Sequence, residues 1–365
     1  MDVKVILTME QFEALRDEWD TLNALAEDIN IFGEFDWVFT WWQHFHKDYE
    51  LFILQVKDQG QTVAIAPWMK VRRHGFCMIE FIGYDVSDFE TVLCLPGKEE
   101  QALDAILKFL LTTGGWDIMR LQKVKSGSRL FSALMNKSQM KARGYCFKVH
   151  PHKEQSMVIN TTGTWAEHAK KIRPKLLADT RRCEKRLSEL GTVSFDFKAQ
   201  FAGDFPALLS TMRDWHMARL DDKNTRSFLT DKTMSAFLES VGKIFHDKQW
   251  LDISRLTVNS KAVAIHWGFS YKGLFYYYVP VFDQSYKAYS PSRILLSKLL
   301  MDSFGGKVQL FDFMLGEEPY KMEWVPEKQW LYFAYFSPPT WRGQAAFWFF
   351  DKFVLWIKKL RGISW

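Results

Sequence analysis

Apolar and polar residues alternate through three consecutive stretches late in the chain: LDISRLTVN (251–259), AVAIHWGFS (262–270) and LFYYYVPV (274–281). A period of two sends successive side chains to opposite faces of a sheet, so each stretch predicts a strand. Ser260-Lys261 and Lys272-Gly273 supply the turns between them, giving an antiparallel meander. The pattern then changes to FDQSYKAYSPSRILLSKLL, where Ser290 stands at a helix cap and Pro291 in the first turn. After Gly305-Gly306 an apolar strand, VQLFDF, returns, followed by GEEPYK. A meander, a capped helix and a returning strand form an α/β layer, and the stretch Trp250–Tyr320 organises the chain.

The first half shows the same order. Strands are predicted at Val3–Leu7, Leu51–Val56, Val63–Val71 and Phe76–Phe81, with Pro67 making the third irregular. Phe12, Leu15, Trp19 and Leu22 have helical spacing, and the aromatic run Trp37–Phe45 reads as a packing surface. A polar loop around Tyr84, Asp85, Ser87 and Asp88 precedes a helix over Glu99–Leu111, a Gly114-Gly115 break and the strand WDIMRL. Two copies of one α/β unit are therefore expected, over residues 1–160 and 161–337, with a tail over 338–365. Their helix starts differ. Glu99 and Glu100 discourage an anion at the first, whereas Ser290, Ser292 and Arg293 favour a phosphate at the second.

Between the copies, Thr164 and Glu167 form a capping-box pattern, and Pro174 divides the following helical region. Lys170 to Arg186 holds eight Lys or Arg residues against Asp179 and Glu184, a surface suited to a phosphorylated ligand, RNA or an anionic lipid, or a solvated helix face. The overall formal charge is only +5, so this local surplus says more than the average. Hydrophobic residues make up 47% of the 365, and no run of about 18 uncharged apolar residues is present to span a bilayer. Cys77, Cys94, Cys146 and Cys183 are scattered without zinc spacing or a disulfide framework, so no metal is expected and a reducing cytoplasmic setting is. The tail predicts a helix over Gly343–Leu360, rich in Trp and Phe and ending in Lys358, Lys359 and Arg361. It suits packing on a sheet, pairing with a second copy in a homodimer, or peripheral contact with a membrane at its inner face.

YSPSRILLSKLL followed by FDFMLGEEPYKMEW resembles the CelD/BcsL-like, FemAB-related branch of the GCN5-type acyltransferases. Tyr289, Ser290 and Pro291 match that branch's helix start, with Ser292 in place of its usual glycine; Phe311, Asp312, Phe313, Gly316, Glu318, Tyr320, Lys321 and Trp324 match the following motif. The resemblance extends to TWWQHF, to the basic helix and to the loop carrying Ser87 and Asp88. It implies tandem GCN5-type domains, each a mixed, mostly antiparallel sheet flanked by helices. It further implies acyl transfer, with acetyl-CoA or another acyl-CoA held by the second domain and the acceptor met by the first.

In that reading the donor's diphosphate lies against Tyr289, Ser290, Ser292 and Arg293, and its pantetheine arm runs between Leu274–Val279 and Val308–Phe313. An amine of a small molecule, sugar or envelope precursor then attacks the thioester. His266 is a candidate base because its reference pKa is near neutrality and Ala264 and Gly268 beside it are small. Asp283 and Asp312, near strand ends, are alternatives. Tyr320 could protonate the leaving sulfur, Lys321 could bind an anion, Glu318 could organise the turn or touch substrate, and Ser87 and Asp88 could recognise the acceptor. Two other readings stay open: a FemAB-type transferase using aminoacyl-tRNA, served by the basic helix, and a non-catalytic binding module on this fold.

Overall fold

A computed structural model of the chain describes residues 1–26, 28, 30–135, 140–141, 143–198, 204–219, 228–306 and 308–353. The chain divides into two compact units, residues 1–154 with 330–365 and residues 155–329. Both are α/β.

The first unit holds two sheets. One has the strand order Asp2–Ile6, Ile53–Asp58, Gln61–Ala66, Leu93–Cys94, and the other Glu50–Leu51, Trp68–Arg73, Phe76–Phe81, Ile118–Lys125, Leu331–Ser337, Cys146–Pro151. Pro67 falls between Gln61–Ala66 and Trp68–Arg73, where the predicted single strand breaks and passes from one sheet to the other. The helix Glu99–Thr113 buries Ala102, Leu103, Ile106 and Leu110 on the stripe that 3.6-residue periodicity provides. The aromatic run forms the helix Phe35–Phe45, with Phe35, Trp37 and Trp41 fully enclosed and Phe12 edge-on to Phe35 at 5.5 Å.

The second unit is a seven-stranded sheet in the order Val193–Asp196, Leu251–Val258, Lys261–Tyr271, Leu274–Phe282, Leu310–Leu315, Ser156–Asn160, Glu327–Gln329. The predicted meander is its centre. Helix Pro291–Ser303 packs Ile294, Leu295, Leu299 and Leu300 into the same core as Phe275, Tyr277, Phe311 and Phe313. The basic segment begins with the capping box at Thr164 and continues as the helix Pro174–Ser188, which lies beside Pro291–Ser303 through a 2.8 Å Lys298–Glu184 ion pair. A further long helix, Lys232–Asp247, is capped by Asp231, whose side chain accepts from the Met234 N–H.

The unit boundaries differ from those expected at 160, 161, 337 and 338. Ser156–Asn160 is hydrogen-bonded to Leu310–Leu315 and Glu327–Gln329, so it belongs to the second unit. Leu331–Ser337 bonds Ile118–Lys125 and Cys146–Pro151, so it returns to the first. The tail is no separate segment either. Its described part, the helix Trp341–Trp348, joins the first unit through Arg342, whose guanidinium meets the Asp117 carboxylate at 3.0 Å. The predicted extension toward Leu360, with Lys358, Lys359 and Arg361, lies outside the described residues. A strand's own residues show that it has a buried face but not which sheet edge will satisfy its N–H and C=O groups.

Each unit contains a parallel strand pair that separates soon after it forms. In the first, Phe76–Phe81 pairs with Ile118–Lys125 at Met78↔Ile118 and Ile79↔Met119. Beyond that point the chain itself supplies the missing partners. The Glu90 N–H donates to the Lys123 carbonyl at 3.3 Å, the Glu90 carboxyl accepts from the Gln122 N–H at 2.6 Å, and the Lys123 ammonium donates to the Ser87 carbonyl at 2.6 Å. Burial pushes the Glu90 carboxyl up to about 8, against the pull of Lys123 and the Gln122 amide. Unfolded, that carboxyl releases its proton near its ordinary value of 4.5, so stability falls as pH rises from there through about 8 and levels off above. Glu90→Gln removes the contribution, which is on the order of a few kcal/mol. Melting curves recorded from pH 5 to 9 should show a flatter pH dependence for the variant than for the wild type; parallel curves would refute this.

Candidate functional site

The second unit's parallel pair joins Leu274↔Leu310, Phe275↔Phe311 and Tyr276↔Asp312, and then the two strands part. What meets the chain just past the end of that strand is a side chain: the Lys321 ammonium donates to the Leu315 carbonyl at 3.0 Å and pairs with the Glu318 carboxylate at 2.8 Å. Lys321 is buried, so its charge locks the turn from Leu315 to Glu318. Glu318 is the N-cap of the short helix Pro319–Met322, which presents Tyr320. The Tyr320 side is 38% exposed while its hydroxyl end sits among protein. Enclosure raises its pKa, the Glu318 carboxylate adds to the effect and the Arg219 guanidinium opposes it, so the phenol is a neutral proton donor at pH 7. The buried Tyr277 hydroxyl, on the parting strand, is raised in the same way by burial and by the nearby Tyr320.

At the other end of the gap stands the start of the helix Pro291–Ser303. The 3₁₀ turn Gln284–Tyr289 leads into it, capped by Asp283, which accepts from the Ser285 N–H at 3.0 Å and the Ser285 hydroxyl at 2.6 Å. Ser290 is in the left-handed region (φ 50°, ψ 53°) and makes no side-chain cap. That conformation is uncommon for serine and turns the chain sharply into Pro291. The Arg293 and Ile294 N–H groups both donate back to the Ser290 carbonyl, at 3.1 and 3.2 Å. The Ser292 N–H has no acceptor one turn earlier within the helix, and Ser292 and Arg293 are half-buried rather than covered. Ser292 is a helical residue with ordinary backbone, so the serine that replaces a glycine here needs no positive φ. Tyr289 lies beneath the Arg186 guanidinium at 5.2 Å, which brings the basic helix to this end.

The three candidate bases are placed differently from their expected role. His266 is completely buried, stacked on Tyr277 at 4.8 Å and 8° and on Phe275 at 5.3 Å. The space beside Gly268 that suggested a cleft is filled by the imidazole itself. Neither ring nitrogen makes a hydrogen bond, and burial lowers its pKa to about 3 despite the neighbouring Tyr276 carbonyl. Asp312 is buried and accepts from the Ser156 hydroxyl at 2.6 Å and the Met314 N–H at 2.8 Å. Asp283 is spent on its cap: burial raises its pKa, but Ser285 and Lys261 outweigh it and leave the carboxyl below its usual range. Sequence spacing does not measure depth: His266 was chosen on its reference pKa and small neighbours, Asp283 and Asp312 on strand-end position.

Ser87 and Asp88 lie in the first unit. The Ser87 hydroxyl accepts from the Trp37 indole at 2.9 Å and is buried; Asp88 is half-buried in the same loop, next to Asp85, which accepts from the Trp41 indole at 2.9 Å. Sequence reasoning missed Tyr277 and Arg219, which complete the polar group around Tyr320. Tyr277 was hidden in a Tyr-Tyr-Tyr run that reads as core. Among the described residues no His, Cys, Asp and Glu cluster could hold a metal ion, and no helix is long and apolar enough to cross a membrane.

Residues 174–322 match the family model described as an acetyltransferase (GNAT) domain, a stretch inside the second unit and under half of the chain. The fold is similar to that of FemX, with a TM-score of 0.62 at 11% identity, covering 95% of this chain and 99% of that one. It is also similar to the C-terminal domain (DUF2156) of a putative lysylphosphatidylglycerol synthetase from Agrobacterium fabrum, with a TM-score of 0.54 at 11% identity and coverage of 94% and 97%. L-PGS from Bacillus licheniformis gives 0.53 at 11% identity, covering 95% and 96%. At such identities the likeness is one of fold. No curated protein matches the sequence. The chain has a GNAT-type acyltransferase fold related to that of FemX.

A Cβ at Gly268 would overlap both the Tyr276 carbonyl oxygen and the His266 ring. The carbonyl belongs to the strand that opens the gap and cannot swing aside. Gly268→Ala is expected to cost about 1–3 kcal/mol through overpacking, read as a lower denaturation midpoint. An unchanged midpoint would show that the sheet yields at this point.

Proposed function

We propose that the chain is an acyl-CoA-dependent transferase that moves an acyl group, acetyl in the simplest case, onto an amine. The observation that carries this is the parting of Leu274–Phe282 from Leu310–Leu315 after Tyr276 and Asp312, beside a half-exposed helix start and inside the segment matched by an acetyltransferase family. Backbone groups freed where the strands part suit the amides of a pantetheine arm. The Ser292 N–H and hydroxyl with the Arg293 guanidinium suit a diphosphate at the positive end of a 13-residue helix. The motifs at Tyr289–Pro291 and Phe311–Phe313 support placing it in the CelD/BcsL-like branch.

The acceptor nitrogen forms a bond to the thioester carbon, the carbonyl becomes an oxyanion, and its collapse breaks the C–S bond. The departing thiolate takes a proton from Tyr320, which is neutral at pH 7, and the phenolate regains one from solvent as the amine nitrogen gives up its own proton there. The Tyr277 hydroxyl, raised first by burial, lies near enough to the Tyr320 phenol to be raised further by it. Glu318, in the turn of the second unit, is the acceptor contact we favour; a free amine on a sugar, a small metabolite or an envelope precursor fits a carboxylate. A second reading, an aminoacyl-tRNA-dependent transferase, is favoured by the exposed Arg181, Lys185 and Arg186 on the basic helix. Salt-sensitive tRNA binding without any binding of acetyl-CoA would reverse the order of the two.

Arg293→Glu places a carboxylate at the diphosphate seat. Calorimetry with acetyl-CoA should show Kd raised by about tenfold or more with thermal stability retained; unchanged affinity would reject the seat. Tyr320→Phe removes only the phenol proton. With an accepted amine, kcat should fall by about 10²-fold while KM for acetyl-CoA stays within about a factor of two. A full kcat in this variant would eliminate Tyr320 as the acid.

A further inference from the structure

We propose that the first unit carries a carboxylate-binding site, built where Arg73, Arg120, Tyr84 and Tyr49 gather around the buried Glu80. Glu80 lies on the strand Phe76–Phe81, which Trp68–Arg73 and Ile118–Lys125 flank, so an arginine from each neighbour reaches it. Its carboxylate is wholly buried and pairs with both: one oxygen meets the Arg73 guanidinium at 3.3 Å, and the other meets that of Arg120. One cation neutralises a buried carboxylate, and a guanidinium cannot shed its charge by losing a proton. Among the described residues no second carboxylate pairs with either arginine. Of the groups beside them, the Lys123 ammonium and the Asp85 carboxylate offset each other, and Glu90 is mostly protonated at pH 7. The cluster is left with one uncompensated positive charge.

Donors are in surplus as well. Arg73 donates to the Tyr84 hydroxyl oxygen at 2.8 Å, and the Tyr49 hydroxyl is hydrogen-bonded to Tyr84. Both guanidiniums stand 5.4 Å from the centre of the Tyr84 ring, a contact that uses none of their N–H groups. The Arg120 Nε–H is shielded from water and has no acceptor, an arrangement that disfavours the empty site. The cluster nevertheless reaches the surface: the Arg73 side chain is 30% exposed, that of Arg120 is 17% exposed, and Tyr49 and Tyr84 are half-buried. The loop that carries Tyr84 is held in advance. Gly83 has φ 84°, the Val86 and Ser87 N–H groups donate back to its carbonyl, and the Lys123 ammonium donates to the Tyr84 carbonyl at 3.0 Å. Little ordering therefore opposes binding. A planar carboxylate matches guanidinium and phenol donors, and its single charge equals the excess. A phosphate dianion would bring two charges to a place short of one, next to the buried Glu80. The site is independent of the donor seat in the second unit.

The test follows the melting temperature of the full chain at pH 7 in sodium acetate, sodium phosphate and sodium chloride of matched ionic strength. Acetate is expected to raise it by about 2 °C or more over chloride. Arg73→Gln removes the surplus charge while leaving Arg120 on Glu80, so its acetate and chloride curves should coincide. A general effect of acetate on the solvent, or its binding elsewhere, would act on both proteins alike. Should Arg73→Gln not fold, Tyr84→Phe takes its place: it keeps both ion pairs, loses the phenol donor and should show a smaller acetate shift than the wild type. Three outcomes would overturn the proposal: no acetate shift in the wild type, a shift of the same size in the variant, or a larger shift with phosphate that the variant abolishes.

Discussion

A β-strand that leaves its ladder still carries N–H and C=O groups that must be met by something. Both units face this constraint at the same place, where a short parallel pair gives way, and they meet it in opposite ways. In the first unit the loop from Gly83 to Val92 turns back, and Glu90 takes the edge of Ile118–Lys125 through Gln122 and Lys123. In the second the pair ends at Tyr276 and Asp312, and the turn beyond is held by Lys321 from the side. One unit is closed on itself by covalently tethered chain; the other retains an edge that a ligand with amide groups can complement. The same architecture can therefore close its gap in one copy and leave it open in the other.

Much of this was legible in the sequence because it depends on local pattern. Period-two alternation over 251–281 fixed three strands and their order, the capping box at Thr164 and Glu167 is present as read, and Pro67 does break its strand. The two-copy order was visible because meander, helix and returning strand each leave a distinct periodicity. The exchange of Ser156–Asn160 and Leu331–Ser337 between units was not. Both have ordinary strand patterns, and the identity of a pairing edge lies in distant sequence. The contrast between the helix starts at Glu99 and Ser292 was also readable from charge, but it is the Glu90 loop that closes the first gap. A loop filling a gap has no periodicity to announce it.

The candidate site was legible in outline and misread in depth. The helix start, the turn and Tyr320 follow from residue types in order. His266, Asp283 and Asp312 were selected because an ionisable group in or near a strand attracts a catalytic reading. Burial decides otherwise. An imidazole stacked between Tyr277 and Phe275, with its pKa lowered to about 3, is neutral throughout the physiological range and has no route to an incoming amine. Its small neighbour Gly268 exists to admit that ring and the Tyr276 carbonyl, so the same two residues that imitated a cleft are one close-packed contact.

Asp312 has the more consequential role, and it is mechanical. A parallel pair that began at Leu274 and Leu310 would be expected to continue, since each further rung satisfies two backbone groups. Met314 prevents it by adopting φ 64°, a left-handed conformation that turns the strand aside. Such a residue costs about 1–3 kcal/mol unless its surroundings over-determine it. Asp312 supplies that determination: its carboxylate accepts from the Met314 N–H at 2.8 Å and from the Ser156 hydroxyl at 2.6 Å, tying the bend to the neighbouring strand. Two such hydrogen bonds, at about 1 kcal/mol each, are on the scale of that strain. The Phe-Asp-Phe strand then has a physical reason for its middle residue. The two phenylalanines pack the core on one face, and the aspartate between them, on the other, holds the strand bent so that the gap stays open.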